Sequence, residues 1–177
     1  MPGKKAVVFC SASFGIDDRY NDIARQAVRA LHGCGYGMVS GGTVKGTMGV
    51  ISDEARRIGM EHIGIIPSFM RGVEYPEASE LVWTETMSER KEAMRAGTSL
   101  AVALPGGIGT LDELIETLTL AKIGRYDGKV VAFNYDGFYE PLKVLLDHYV
   151  ATGMLDERSR GLISFPTTVE EFTYCIK

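Results

Sequence analysis

Short apolar runs alternate with amphipathic stretches along almost the whole chain, and this alternation limits the available folds more than any other feature. Ala6–Cys10, Met38–Ser40, His62–Ile66, Ser99–Leu104, Val130–Phe133 and Leu162–Phe165 predict strands, and Glu80–Trp83 a weaker one. The main runs are continuous, as in strands covered on both faces. Asp18–Leu31, Gly46–Ile58 and Met87–Ala96 read as helices, with further helices between and after the later strands. Pro67 stops the third strand, and Gly33, Gly35 and Gly37 read as a helix C-cap. Regular β–α alternation calls for an α/β fold: a doubly wound parallel sheet with helices on both faces, Rossmann-like. No linker, repeat or low-complexity segment breaks residues 1–177, so one domain is expected.

Composition excludes more than it selects. A chain of 177 residues with 45% hydrophobic and 24% charged content can bury a substantial core. A net charge of −4 gives no basic footprint, which argues against a nucleic-acid partner. Cys10, Cys34 and Cys175 are odd in number and lack metal-ligand spacing, so reduced thiols in a cytoplasmic protein are expected. The apolar run after Met1–Lys5 is too short for a signal-peptide core, and nothing later approaches a membrane span. His32, His62 and His148 are scattered and read as structural, so no metal is expected.

Ligands of such sheets bind beyond the carboxyl ends of the strands, near the switch in strand order. Three small or glycine-rich segments should gather there: Ser11–Ala12–Ser13, Ser40–Gly41–Gly42 and Pro105–Gly106–Gly107. The last opens Pro105-Gly106-Gly107-Ile108-Gly109-Thr110-Leu111-Asp112-Glu113, which joins an apolar strand to an amphipathic helix. Glycines let backbone N–H groups converge on an anion, and a helix N-terminus favours negative charge. Glu113 then stands one turn inside a phosphate cradle. Gly41 to Gly49 forms a second glycine-rich turn without dinucleotide or P-loop spacing. Two readings stay open for it: a sugar or phosphate holder, or tight strand–helix packing. Arg90 and Lys91 alone read as a solvated helix face. Ser11 and Ser13 lack a His–Asp partnership, so serine hydrolase chemistry is not indicated.

Together these residues resemble the LONELY GUY family of cytokinin-activating phosphoribohydrolases. Its Pro-Gly-Gly-x-Gly-Thr-x-x-Glu motif is matched from Pro105 to Glu113. Its Gly-Gly-x-x-x-Gly-x-Met-Gly turn is matched from Gly41 to Gly49, and its Met-x-x-Arg-Lys segment at Met87, Arg90 and Lys91. The resemblance implies hydrolysis of the N-glycosidic bond of a purine riboside 5′-monophosphate, from a cytokinin riboside monophosphate or AMP. Free base and ribose 5-phosphate would be the products. It implies Arg90 and Glu113 as catalytic residues, and Glu74, Lys91, Gly106, Gly107, Ile108, Gly109, Thr110, Leu111, Asp112 and Thr119 as substrate-binding positions. Gly41, Gly42 and Ser11 join that set from the fold rule. The resemblance also implies a homodimer with the site near the subunit boundary, and no cofactor.

Breaking a ribosyl–base bond passes through an oxocarbenium-like state that a carboxylate stabilises. A helix N-terminus favours the ionised form, so Glu113 is expected to act as a base or as an electrostatic partner of the sugar cation. Arg90 is a poor proton donor and suits charge stabilisation. Ser99, Leu120, Ser40 and Asp112 stand where the family often has Asp, Trp, Tyr and Glu, departures that bear on base preference. Two rivals remain. Related Rossmann proteins carry molybdenum cofactor without turnover, but a carrier has little need of a carboxylate beside bound phosphate. Lysine decarboxylation, a label the family has carried, requires a Schiff-base lysine with an acidic partner for the cofactor ring. Lys91, Lys122 and Lys129 lie in no such context.

Overall fold

The computed structural model describes residues 3–177. Seven strands, β1 (Lys4–Phe9), β2 (Tyr36–Ser40), β3 (His62–Pro67), β4 (Glu80–Thr84), β5 (Leu100–Ala103), β6 (Lys129–Ala132) and β7 (Ile163–Ser164), form one sheet. Its order is β4-β3-β2-β1-β5-β6-β7, with every neighbouring pair parallel. The helices are α1 (Asp18–Gly33), α2 (Gly46–Arg57), α3 (Met87–Arg95), α4 (Ile108–Lys122), α5 (Glu140–Ala151), α6 (Glu157–Arg160) and α7 (Val169–Ile176).

The expected doubly wound α/β architecture is therefore observed, with most element ends within one or two residues of their predicted places. The last strand is shorter than expected, holding only Ile163 and Ser164. The glycine run after α1 divides its roles. Gly33 closes the helix, Gly35 takes a left-handed turn at φ 81°, and Gly37 already lies in β2.

Both sheet faces are covered. On one, α1 packs Ile23, Ala24, Ala27, Val28 and Leu31 against Ala6, Val8 and Met38, joined by Ile51 of α2 and Phe172 of α7. On the other, Met94 of α3, Leu114 of α4 and Leu146 of α5 pack against Val7, Phe9, Ala101 and Ala103. Burying each large side chain contributes roughly 1.5–3 kcal/mol, and the buried stretch Ala6–Phe9 of β1 and all of β5 are apolar on both faces.

Side-chain caps start several helices: Asp17 accepts from Arg19 N, Thr86 from Glu89 N and Thr168 from Glu171 N. α2 and α4 begin without one, at Lys45 and Gly107. At α2 the Met48 N–H donates to Ser11 O at 3.2 Å, whereas the first-turn amides of α4 stand at the carboxyl edge of the sheet, where the order reverses between β1 and β5.

Candidate active site

A cavity of about 320 Å³ opens at this switch point. Cys10 and Ser11 line it from the end of β1, Gly41 from the end of β2, and Gly107 to Thr110 from the start of α4. The three segments expected to meet do meet. α3 supplies Met87, Arg90, Lys91 and Met94, and α4 adds Asp112 and Glu113.

Arg90 is 6% exposed although it stands in a run of charged residues. It and Met94, four positions apart, are the buried residues of α3, so the helix turns one cation inward. Its Nε donates to Ile65 O at 3.0 Å, and Nη2 donates to Gly41 O at 3.2 Å. Nη1 faces Glu113 Oε1 at 3.4 Å. Two backbone carbonyls and one carboxylate therefore hold the guanidinium. A Cβ on Gly41 would run into the Arg90 guanidinium and Met48 Sδ, so glycine there leaves room for the seated arginine.

Glu113 is 9% exposed. Burial pushes its carboxyl up to about 7, against the opposing pull of the Arg90 guanidinium. This corrects the expectation that a helix N-terminus would favour the ionised form. Glu113 is the sixth residue of α4, beyond the reach of the first-turn dipole, and desolvation prevails. The same burial lowers Arg90 from its usual value, and Cys10, with burial first and Glu113 beside it, is pushed up and stays a neutral thiol.

Lys91 Nζ lies 3.0 Å from both Asp112 and Glu116, and Arg95 shares Glu116 at 2.9 Å. Hydrogen bonds to Asp112 and Glu116 raise the Lys91 ammonium. A Schiff-base lysine needs the opposite shift, so Lys91 does not suit decarboxylase chemistry.

Not every candidate position faces the cavity. Gly42, at φ 68°, packs on Gly64 of β3, where a Cβ would meet Gly64 Cα at 2.9 Å. Close packing thus accounts for Gly42, against a strand, while Gly41 lines the cavity. Gly106 stands behind the cradle, against Thr110. Glu74 pairs with Thr43 in an isolated bridge, and its carboxylate is lowered by the backbone N–H groups of Glu74 itself and Gly72. It sits beside the turn rather than in the cavity. Leu111 and Thr119 lie along a shallow groove on the outer face of α4 with Ile108 and Ile115.

Sequence reasoning missed the wall of the cavity: Cys10, Met70 and Met94. Met94 follows Met87 by two helical turns, and that spacing is the signal that could have found it. Among the described residues no group of three or more His, Cys, Asp or Glu is arranged to hold a metal ion, and no helix is long and apolar enough to cross a membrane.

The chain as a whole is similar to known proteins. Residues 48–175 match the family model described as "Possible lysine decarboxylase". The chain is 33% identical over 162 residues to cytokinin riboside 5′-monophosphate phosphoribohydrolase LOG2 of Arabidopsis thaliana, covering 90% of this chain and 76% of that protein. It is 34% identical over 170 residues to cytokinin riboside 5′-monophosphate phosphoribohydrolase LOG of Oryza sativa subsp. japonica, covering 95% and 70%. Among solved structures, TM1055 matches with a TM-score of 0.77 at 24% identity over 98% of both chains. The molybdenum cofactor carrier protein of Chlamydomonas reinhardtii matches at 0.71 and 16% identity, over 98% and 95%. The last two likenesses speak to fold alone.

Proposed function

The chain belongs to the LONELY GUY family, and from that premise we propose that it hydrolyses the N-glycosidic bond of a purine nucleoside 5′-monophosphate. The observation that carries this reading is the buried Arg90–Glu113 pair at 3.4 Å, set against the uncapped N-terminus of α4. The phosphate rests on the amides of the Gly107–Thr110 turn, with Lys91 alongside. As the C1′–N9 bond lengthens, positive charge builds on the ribose, and the Glu113 carboxylate opposes it. Glu113 then takes a proton from the water that adds to C1′, while the base leaves and is protonated from solvent. A carboxyl near 7 is well matched to such a proton transfer at neutral pH. Arg90 keeps Glu113 ionised in enough molecules to act, and stabilises negative charge on the departing base.

The physiological substrate is a cytokinin riboside monophosphate or AMP. The protein acts as a homodimer in the cytoplasm. Ile108, Leu111, Ile115 and Ile123 are 88%, 41%, 36% and 61% exposed, and a second copy covering that face of α4 would bring Leu111 and Thr119 into the neighbourhood of a shared site. Three free thiols suit a reducing compartment.

The test is chromatography of the purified protein incubated with AMP and, separately, isopentenyladenosine monophosphate, with Glu113→Gln as control. Free base that disappears in the control supports hydrolysis and ranks the two bases. No base from either, with tight nucleotide or pterin binding, moves the reading to a carrier.

A further inference from the structure

Beneath the site lies a polar pair that neither the proposed hydrolysis nor core packing accounts for. Ser40 ends β2 and His62 begins β3; they are 0% and 3% exposed. Ser40 Oγ and His62 Nε2 are 2.8 Å apart. Ser40 Oγ also accepts the Gly42 N–H at 3.2 Å. His62 Nδ1 is buried without a hydrogen-bond partner. An unpaired buried polar group is destabilising, and two apolar side chains would close the same strands without that cost. A role beyond packing is therefore called for.

The surroundings supply one. The Gly41–Gly42 peptide, whose N–H donates to Ser40 Oγ, carries the Gly41 carbonyl that accepts from Arg90 Nη2, and β3 carries the Ile65 carbonyl that accepts from Nε. The two strands tied together by Ser40 and His62 are the two that grip the guanidinium. Burial keeps the His62 ring neutral, so Nε2 can accept the Ser40 hydroxyl hydrogen while Ser40 Oγ accepts from Gly42. This relay fixes the Gly41–Gly42 peptide, whose left-handed Gly42 packs directly on Gly64.

We infer that Ser40 and His62 are positioning residues for Arg90: their hydrogen bond sets the Gly41 carbonyl that aims the guanidinium at Glu113. The inference rests on the reading of Arg90 as catalytic, and its test separates the two.

Ser40→Ala, His62→Phe and His62→Gln are compared with wild type by steady-state base release and by NMR of the Arg90 side chain. His62→Phe keeps a ring and also removes the unpaired Nδ1, so it carries the test even if Ser40→Ala fails to fold. Ser40→Ala and His62→Phe are expected to lower kcat about tenfold, with KM changed by less than about twofold. The Arg90 Nη signals, resolved in wild type by the clamp, merge in both variants as the guanidinium rotates freely. His62→Gln, which offers a side-chain oxygen near the Nε2 position, restores most of the loss. Nη signals that stay resolved in folded Ser40→Ala or His62→Phe overturn the inference, whether or not kcat falls. If wild type releases no base from any nucleotide while the signals still merge, the hydrolase reading fails and the positioning role stands.

Discussion

Two buried glutamates, one on each side of the sheet, face arginine and titrate in opposite directions. Glu54 of α2 is 4% exposed and takes hydrogen bonds from Arg29 and Arg57 at 2.6–3.0 Å. Those bonds, Arg57 first, pull it down to about 2. Glu113 of α4 is 9% exposed and faces one arginine at 3.4 Å, and burial pushes it up to about 7. The guanidinium heads of Arg29 and Arg57 reach solvent and bond closely, whereas Arg90 is itself buried and already committed to two carbonyls. A nearby opposite charge does not by itself fix a carboxylate's state. The number of short bonds it receives, set against the water it loses, decides. One glutamate is thereby a fixed anion that joins α1 to α2, and the other is left able to exchange a proton.

The largest effect expected from this contrast is on turnover. Glu113→Gln should lower kcat by about a thousandfold, within the range for a positioned acid–base group, while the protein stays folded. Steady-state base release checks it, and a variant within tenfold of wild type would make Glu113 no different in kind from Glu54. Arg90→Lys keeps the charge but cannot serve Ile65 O, Gly41 O and Glu113 together. A loss of about a hundredfold in kcat is expected.

The pH profile sharpens the comparison further. With Glu113 acting as the ionised form, kcat/KM should fall about tenfold per unit as pH drops below about 7. A profile that instead falls above 7 would assign the catalytic role to the protonated acid.

The smallest effects are on stability. Glu54→Gln should leave kcat unchanged and cost about 2 kcal/mol, seen as a lower thermal midpoint. The signs of the two linkages oppose each other. Glu54, lowered on folding, stabilises above its ordinary value of 4.5, and that contribution is lost as pH falls toward about 2. Glu113, raised on folding, favours the native state below 4.5, and that contribution is lost as pH rises through about 7. Thermal midpoints against pH should therefore flatten in the acid range for Glu54→Gln and between about 4.5 and 7 for Glu113→Gln.

Much of this contrast was invisible in the sequence. The strands and helices were legible because apolar runs and helical spacing are local signals, and the glycine turn at Pro105 marked the right edge of the sheet. Arg90 was not legible as a buried residue. Its neighbours Glu89 and Lys91 give the segment the look of a solvated face, and only the inward pairing with Met94 reveals the orientation. The charge state of Glu113 is not legible either: a helix N-terminus can be read from sequence, but desolvation depends on Cys10, Met48 and Met94 closing the cavity around it. Gly42 and Gly41 look alike in the chain and serve different neighbours in space, one a strand and the other a guanidinium.

The place of β1 in the middle of the sheet has a consequence for how the protein is made. Ala6 pairs with Leu100, and Phe9 with Ala103, across most of the chain. At roughly 5–20 residues per second, β1 leaves the ribosome on the order of 5–20 s before β5 can cover its second edge. Through that interval an apolar strand edge stays open to other nascent chains, so crowding and chaperone supply should govern yield. The Arg90–Glu113 pair is assembled late as well, because the two residues flank β5 in the chain, on α3 and α4. A chain truncated before β5 would have neither a closed sheet nor an active centre.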